Sequence, residues 1–238
     1  MCATAFEFKY RDILIRLIYL VAFLCYVFDP PMTGSLLGEW LSSKFGVFPE
    51  TTWKHAVLFV GAALVVLAVS IRTWATAYLR YDVMRNPQIH TERLIADGPF
   101  GYLRNPLYFG NLLMVAGVTF SLSRTGMAVL VFGTLVVVQR LVRREEMELA
   151  RTHSESFHQY CREVPRWVPS LEPRAAAAGY TPSFREGVMG ELFLWIIALA
   201  LTVYAATFDI KLFGIVFVCA FIPGASRRIH RIRQRRSA

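Results

Sequence analysis

The sequence predicts an all-α protein, a polytopic bundle of about six transmembrane helices, with five as the alternative. Of its 238 residues, 55% are hydrophobic and only 18% are charged. The mean hydropathy of +0.42 is rare among soluble domains. The apolar residues gather into long runs, at residues 13–28, 55–70, 107–122, 127–138 and 192–208. These runs approach or reach the roughly 17 to 25 residues that a helix needs to cross a bilayer.

The distribution of basic residues predicts the orientation in the membrane. The net charge is +9, but the 26 lysines and arginines are unevenly spread. If the N-terminus is cytoplasmic, the outer loops hold only Lys44, Arg124 and Lys211, and the inner segments hold the other basic clusters. Cytoplasmic loops carry such an excess of Lys and Arg. We therefore expect both termini in the cytoplasm, and the basicity requires no nucleic-acid partner.

The first predicted span begins after Lys9 and Arg11 and ends at Asp29, which two prolines follow. In the outer loop beyond it, apolar residues recur at helical spacing and predict one short amphipathic helix. This helix lies either on the outer membrane surface or as a lid on the bundle. The residues of the apolar stripe are Leu36, Leu37, Trp40, Leu41 and Phe45.

The second predicted span begins near Trp53 and ends at about Trp74, where Arg72, Trp74 and Tyr78 are typical of a membrane interface. A polar loop follows at residues 89–104. Within this loop, the sequence Asp-Gly-Pro at residues 97–99 predicts a turn.

Only residues 121–126 connect the third and fourth predicted spans, so these two helices must be antiparallel neighbours. Their inner ends therefore meet, and residues 105–111 should face residues 140–146. The fourth helix should continue into water until Pro165. Its apolar side would be formed by Met147, Ala150, Phe157, Tyr160 and Val164.

The last third of the chain reads as a connector over residues 169–185 and a helical hairpin over residues 192–222, with its tip near Asp209. The second arm of the hairpin is short, which is why five spans stay possible. The final sequence RRIHRIRQRR is typical of an electrostatic anchor for anionic lipid.

Several familiar chemistries lack support in the sequence. The five histidines offer only His153 and His158 as a near pair, and their spacing is not that of a helical zinc site. The four cysteines show neither CxxC spacing nor a disulfide framework. No GxSxG, GxxxxGK[ST] or dinucleotide-binding GxGxxG occurs.

A small polar pocket is predicted where the two helix ends meet. Backbone donors at the head of the third span can receive a carboxylate. Glu145 or Glu146 can accept hydrogen bonds from a ribose diol, and aromatic rings can face a sulfonium. A ligand with a carboxylate, an adenosine and a positively charged sulfur would satisfy all three. The aromatic candidates are Phe100, Tyr102, Tyr108 and Tyr160.

Three ordered motifs carry a family resemblance. The sequence reads GPFGYLRNPLYFGN, then REE about 35 residues later, then YCREVPRWVP. This order resembles the isoprenylcysteine carboxyl methyltransferase and phospholipid methyltransferase family over about a third of the chain. Two positions depart from that family's pattern: Phe100 stands where Tyr is usual, and Asn105 where His is usual.

The resemblance implies an integral membrane methyltransferase with its active site at the cytoplasmic face. It would bind S-adenosylmethionine and act on a lipophilic acceptor such as an isoprenylcysteine-type carboxylate, a phospholipid amine or a small thiol. Arg140 and Arg144 would position the acceptor. Of the paired glutamates, Glu145 would face the cofactor, and Glu146 would face solvent or Arg143. The full cofactor set implied is Arg93, Leu94, Ile95, Phe100, Asn105, Pro106, Leu107, Tyr108 and Glu145.

The resemblance also divides the chain into three parts. Residues 1–88 would hold the N-terminal transmembrane helices and the outer amphipathic segment. Residues 89–169 would form the methyltransferase-like core with its cytoplasmic cofactor-binding loop and helix extension. Residues 170–238 would hold the connector, the C-terminal hairpin and the basic tail.

Two other functions stay open at this point. A membrane reductase of the steroid-reductase type would share the helical architecture but use NADPH. A non-enzymatic lipid-binding or transport protein is the other alternative. Against transport, the charged residues gather at one predicted face, whereas transport sites usually lie near the bilayer midplane.

Overall fold

The computed structural model describes residues 2–79, 96–175, 179 and 181–219. These residues form α-helices with short 3-10 turns, and among them no β-strand occurs beyond one isolated bridge between Met32 and Ser123. The all-α prediction is therefore confirmed for the described residues. The helices are α1 Ala5–Lys9, α2 Arg11–Leu24, α3 Thr33–Phe45, α4 Glu50–Leu79, α5 Pro106–Val118, α6 Arg124–Glu163, α7 Phe184–Thr207 and α8 Ile210–Cys219.

Three helices of the described part are long and apolar enough to cross a membrane: α4 with 30 residues, α6 with 40 and α7 with 24. Two further apolar helices are shorter, at Pro106–Ser121 and Ile210–Cys219. These lengths are consistent with an integral membrane protein. The count of six or five spans stays a prediction.

Helix α4 lies at the centre and packs against α3, α5 and α7. Its crossing with α5 is close because glycines face each other there. A Cβ on Gly61 would lie 2.7 Å from the Gly117 carbonyl oxygen, and a Cβ on Gly117 would lie 2.5 Å from that of Gly61. The main core cluster draws on helices from all three parts of the chain, including Ala22, Val65, Met114, Leu130 and Ala198.

The short helix predicted from the apolar spacing of residues 36–45 is confirmed as α3. It packs on the bundle through small residues: a Cβ on Gly38 would lie 2.7 Å from Lys54 Cγ, and Gly34 approaches the Phe120 carbonyl in the same way. Trp40, on the predicted apolar stripe, is 57% exposed. Helix α3 thus rests on the bundle with glycines inward, while part of its apolar stripe points outward.

Helix α6 extends well past its apolar half, as the sequence predicts, and has non-helical φ/ψ angles at Ser154. Beyond that kink, Phe157, Tyr160 and Val164 form a small apolar cluster with Ala96. The predicted apolar side is therefore confirmed at these three residues, whereas Met147 is exposed. This cluster places the end of α6 against the loop that precedes α5.

Candidate active site

The head of α5 meets the middle of α6, within the residues 140–146 that the short connection between the helices predicts. Pro106 occupies the first turn of α5, where a backbone N–H has no partner within the helix, so its absence in proline costs no hydrogen bond. Asn105 stands at the N-cap but its side chain does not cap the helix. Its Nδ2 instead donates to Glu146 Oε1 at 3.2 Å. The amide therefore joins two helices.

Glu146 is the centre of a buried polar cluster. The Nε of Arg166 donates to both Glu146 oxygens at 3.0 Å, and its Nη2 donates to Oε2 as well. Arg104 Nη1 lies 3.5 Å from Oε1. The hydrogen bonds to the Glu146 carboxylate raise the pKa of Arg166 above its ordinary value. Glu146 is only 9% exposed, so the expectation that it faces solvent or Arg143 is wrong.

The chain after α6 folds back over the loop before α5, which explains the burial of Glu146. The Arg104 N–H donates to the Pro165 carbonyl at 2.9 Å, and the Ser170 N–H donates to the Tyr102 carbonyl at 3.0 Å. The Tyr160 hydroxyl donates to the Phe100 carbonyl at 2.7 Å. The loop between Pro165 and Ser170 thus carries Arg166 to Glu146, a return of the chain that helical spacing does not reveal.

The turn predicted at residues 97–99 is confirmed as the start of the 3-10 turn Gly98–Gly101. Gly98 has φ of 58°, a left-handed conformation that favours glycine. A Cβ there would also lie 2.3 Å from the Tyr78 ring. The turn fixes the path of the chain into Asn105.

Glu145 points to a different set of partners from its neighbour. The Tyr108 hydroxyl donates to Glu145 Oε1 at 2.8 Å, and Arg11 Nη1 lies 3.9 Å from the same oxygen. Adjacent helical positions point about 100° apart, which separates the two carboxylates. Both glutamates therefore contact the head of α5, each through a different residue.

Arg140 and Arg144 lie on α6 beneath the N-terminal segment, residues 2–10. Arg140 Nη2 donates to Glu7 Oε2 at 2.8 Å, and Arg144 Nη1 donates to the Ala3 carbonyl at 3.1 Å. The Phe8 ring stacks 5.1 Å from the Arg144 guanidinium carbon. This contact was not predicted, although Thr4 and Glu7 have the spacing of a capping box, which marks the start of a helix.

The structure brings together most of the predicted site residues. Asn105, Tyr108 and Glu145 lie at the junction of α5 and α6, with Pro106 and Leu107 between them in the chain. The Phe100 carbonyl accepts a hydrogen bond from Tyr160, further along α6, and not from these junction residues. Arg93, Leu94 and Ile95 lie outside the described residues. The contribution of each to cofactor binding stays a prediction.

A second buried ion pair was also missed. Arg72 was interpreted as an interfacial residue, but its guanidinium forms a double hydrogen bond with Glu191 on α7. Glu191 is 2% exposed. Its signal in the sequence was a single acidic residue at the head of an apolar run, which is costly in lipid unless it is paired.

Comparison with known proteins supports the resemblance carried by the motifs. The family model described as phospholipid methyltransferase matches residues 56–156. The cobalt-zinc-cadmium resistance protein CzcN of Cupriavidus metallidurans is 28% identical over 168 residues, which cover 68% of this chain and 71% of that protein. No solved structure matches the chain. The match over most of α4, all of α5 and most of α6 confirms the predicted resemblance to the phospholipid methyltransferase family over this part of the chain.

Proposed function

We propose that this protein is an integral membrane methyltransferase that uses S-adenosylmethionine to methylate a lipophilic acceptor. The observation that supports it most directly is the junction of α5 and α6. There, the two adjacent glutamates accept hydrogen bonds from Asn105 and Tyr108 at 3.2 and 2.8 Å. These residues come from two motifs of the family resemblance, and the fold places them side by side.

The donor set at the junction fits the chemistry of this cofactor. Arg104 Nε is buried and has no hydrogen-bond acceptor among the described residues, so it can bind a carboxylate. The partners of Glu145 shown within residues 2–79 and 96–175 are one neutral donor, Tyr108, and Arg11 at 3.9 Å, so Glu145 can accept a further hydrogen bond from a ribose diol. When bound, S-adenosylmethionine supplies a methyl group activated by its positive sulfur.

The residues of the junction need only bind and orient the reactants. In that reaction the nucleophile of the acceptor would form a bond to the methyl carbon while the carbon–sulfur bond broke and its electron pair stayed on sulfur. A carboxylate or a thiolate attacks without a proton transfer, so such a reaction depends on positioning and exclusion of water. Asn105 suits this role because its amide donates a hydrogen bond but does not titrate near neutral pH.

Arg140 and Arg144 favour an anionic acceptor. Each has a buried Nε without an acceptor among the described residues. Arg140 already binds one carboxylate, that of Glu7. An acceptor carboxylate or thiolate can use the two Nε donors, whereas the ammonium form of a phospholipid amine would be repelled by the guanidinium charges. The two arginines would then act in acceptor positioning.

The decisive experiment measures ligand-dependent thermal stability of the detergent-solubilised protein. S-adenosylhomocysteine at a hundred times its dissociation constant should add about 2.7 kcal/mol of apparent stability, because it binds only the folded state. NADPH should produce no shift. Stabilisation by NADPH and not by the adenosyl ligand would instead favour a reductase, and the methyltransferase proposal would be rejected.

We also propose that the junction faces the cytoplasm and that both termini lie on that side. The basic residues of the sequence support this orientation. Single-cysteine variants at Ser42 and Ser237 would test it in intact cells; Ser237 lies outside the described residues. An impermeant thiol reagent should label S42C only. Labelling of S237C from outside would reverse the orientation.

A further inference from the structure

A buried ion pair joins α4 to α7 near the head of α5. Arg72 Nε donates to Glu191 Oε2 at 3.1 Å, and Arg72 Nη2 donates to Oε1 at 2.9 Å. The Thr76 hydroxyl donates to Oε1 at 2.9 Å. Glu191 is thus held by a two-pronged guanidinium contact and a hydroxyl, an arrangement that fixes direction as well as distance.

The same guanidinium extends to the first two turns of α5. Arg72 Nη1 donates to Asn111 Oδ1 at 2.7 Å and to the Leu107 carbonyl at 3.3 Å. Leu107 lies in the proposed cofactor-binding run, next to Tyr108. The contacts therefore connect α7, through Arg72, with the part of α5 that carries the proposed site.

Glycine residues on α5 and α7 make room for this connection. A Cβ on Gly110 would lie 2.5 Å from Arg72 Cγ, and a Cβ on Gly187 would lie 2.6 Å from the Thr73 carbonyl oxygen. Gly110 thus lets the arginine cross the face of α5, and Gly187 lets α7 approach α4. The ion pair occupies a close-packed three-helix junction.

A contribution to folding stability does not by itself explain the presence of this buried ion pair. Desolvation of two charges offsets much of their attraction, and apolar pairs of similar size are often as stable in the same place. What an apolar pair lacks is the hydrogen bonds from Arg72 to Leu107 and Asn111. The specific consequence of the pair is therefore the placement of the α5 head.

We propose that Glu191 is a positioning residue for the cofactor site. By holding Arg72 in one orientation, it holds Leu107 and Tyr108 where the adenosyl ligand binds. This inference rests on the proposed function. Glu191 lies outside residues 56–156, so the family match assigns it no role.

The test separates positioning from stability with the double variant R72M/E191L. Leucine at 191 alone would leave a buried guanidinium without its carboxylate, whereas the double variant leaves no unpaired charge. We expect it to melt close to the wild type. Its affinity for S-adenosylhomocysteine, measured by calorimetry, should fall roughly ten- to a hundredfold, because the loss of one well-placed hydrogen bond to a charged group changes affinity by about that factor.

Two further variants complete the design. E191Q keeps one oxygen for Arg72 and Thr76, so its affinity should lie between those of the wild type and the double variant. E186Q removes an exposed carboxylate from the same helix and should change neither quantity.

The outcomes distinguish the two proposals. If the wild type does not bind S-adenosylhomocysteine, the proposed function fails and this role for Glu191 fails with it. If the wild type binds and both R72M/E191L and E191Q bind equally well, the pair is structural only and the positioning proposal alone is overturned. Should the double variant not fold, E191Q decides: unchanged affinity there rejects the proposal.

Discussion

Replacement of Glu146 by glutamine should destabilise the folded protein. The glutamine would keep one carbonyl oxygen, which can accept a hydrogen bond from Asn105 or Arg166. It would lack the negative charge that Arg166 and Arg104 approach. Its side-chain amide would also point a donor at the Arg166 guanidinium, which has only donors. Glu146 is buried, so water cannot replace the lost contacts.

The size of this destabilisation depends on how deeply the ion pair is buried. Removal of one partner from a fully buried ion pair costs about 3 to 5 kcal/mol. The Arg166 side chain is 33% exposed, which lets water solvate part of its charge. We therefore expect a loss of about 2 to 4 kcal/mol. At about 2 to 4 °C per kcal/mol for a chain of this size, the apparent melting temperature should fall by roughly 4 to 16 °C.

The assay is thermal unfolding in detergent at fixed protein concentration, without added ligand. Glu148→Gln is the matched control, because Glu148 lies on the same helix and its contact with Arg151 is a long, solvent-exposed one of 3.7 Å. Its effect should stay within about 1 kcal/mol. If Glu146→Gln melted with the control, the cluster around Glu146 would contribute little to folding and our account of it would be refuted.

Three further predictions follow from other contacts. Glu145→Gln should leave the melting temperature nearly unchanged, since its amide oxygen can still accept from Tyr108, but should weaken S-adenosylhomocysteine binding about ten- to a hundredfold in calorimetry. The hydrogen bond from Arg140 lowers the pKa of Glu7 from 4.5 to about 2. Because the folded-state pKa is the lower one, this contact stabilises the fold fully above about pH 4.5 and its contribution is lost as the pH falls towards 2. The melting temperature of the wild type should therefore fall between about pH 4.5 and about pH 2, and in Glu7→Gln this fall should be smaller. Gly117→Ala should destabilise the crossing of α4 and α5 and lower the melting temperature, whereas Gly214→Ala, with open space around its Cβ, should not; equal melting temperatures would show that the crossing adjusts freely.

Local patterns were sufficient to predict the junction of α5 and α6. A connection of a few residues forces two helices to be antiparallel neighbours, so residues 105–111 were expected to face residues 140–146, and the contacts Asn105–Glu146 and Tyr108–Glu145 lie within those ranges. The amphipathic spacing from Leu36 to Phe45 predicted α3 for the same reason. Each of these conclusions depended on residues that are close in sequence or joined by one tight turn.

Contacts between distant elements were not predictable in this way. Arg72 near the end of an apolar helix is equally typical of a membrane interface and of a buried ion pair, and only the rotation of α4 towards α7 decides between them. Arg166 reaches Glu146 because the chain reverses after α6. Neither the rotation nor the reversal leaves a periodic signal in the sequence.

The adjacent glutamates show how one motif can serve two purposes. Glu146, with its charge matched by Arg166 and approached by Arg104, holds the chain after α6 against the head of α5. Glu145, about 100° away around the helix, has a neutral hydroxyl and one arginine at 3.9 Å as its partners. A carboxylate whose charge is already matched by close arginines gains little from a new ligand, whereas one with weak partners gains more. This difference in partners is the physical basis of the proposed division, in which Glu146 maintains the junction and Glu145 would be the carboxylate that binds the cofactor.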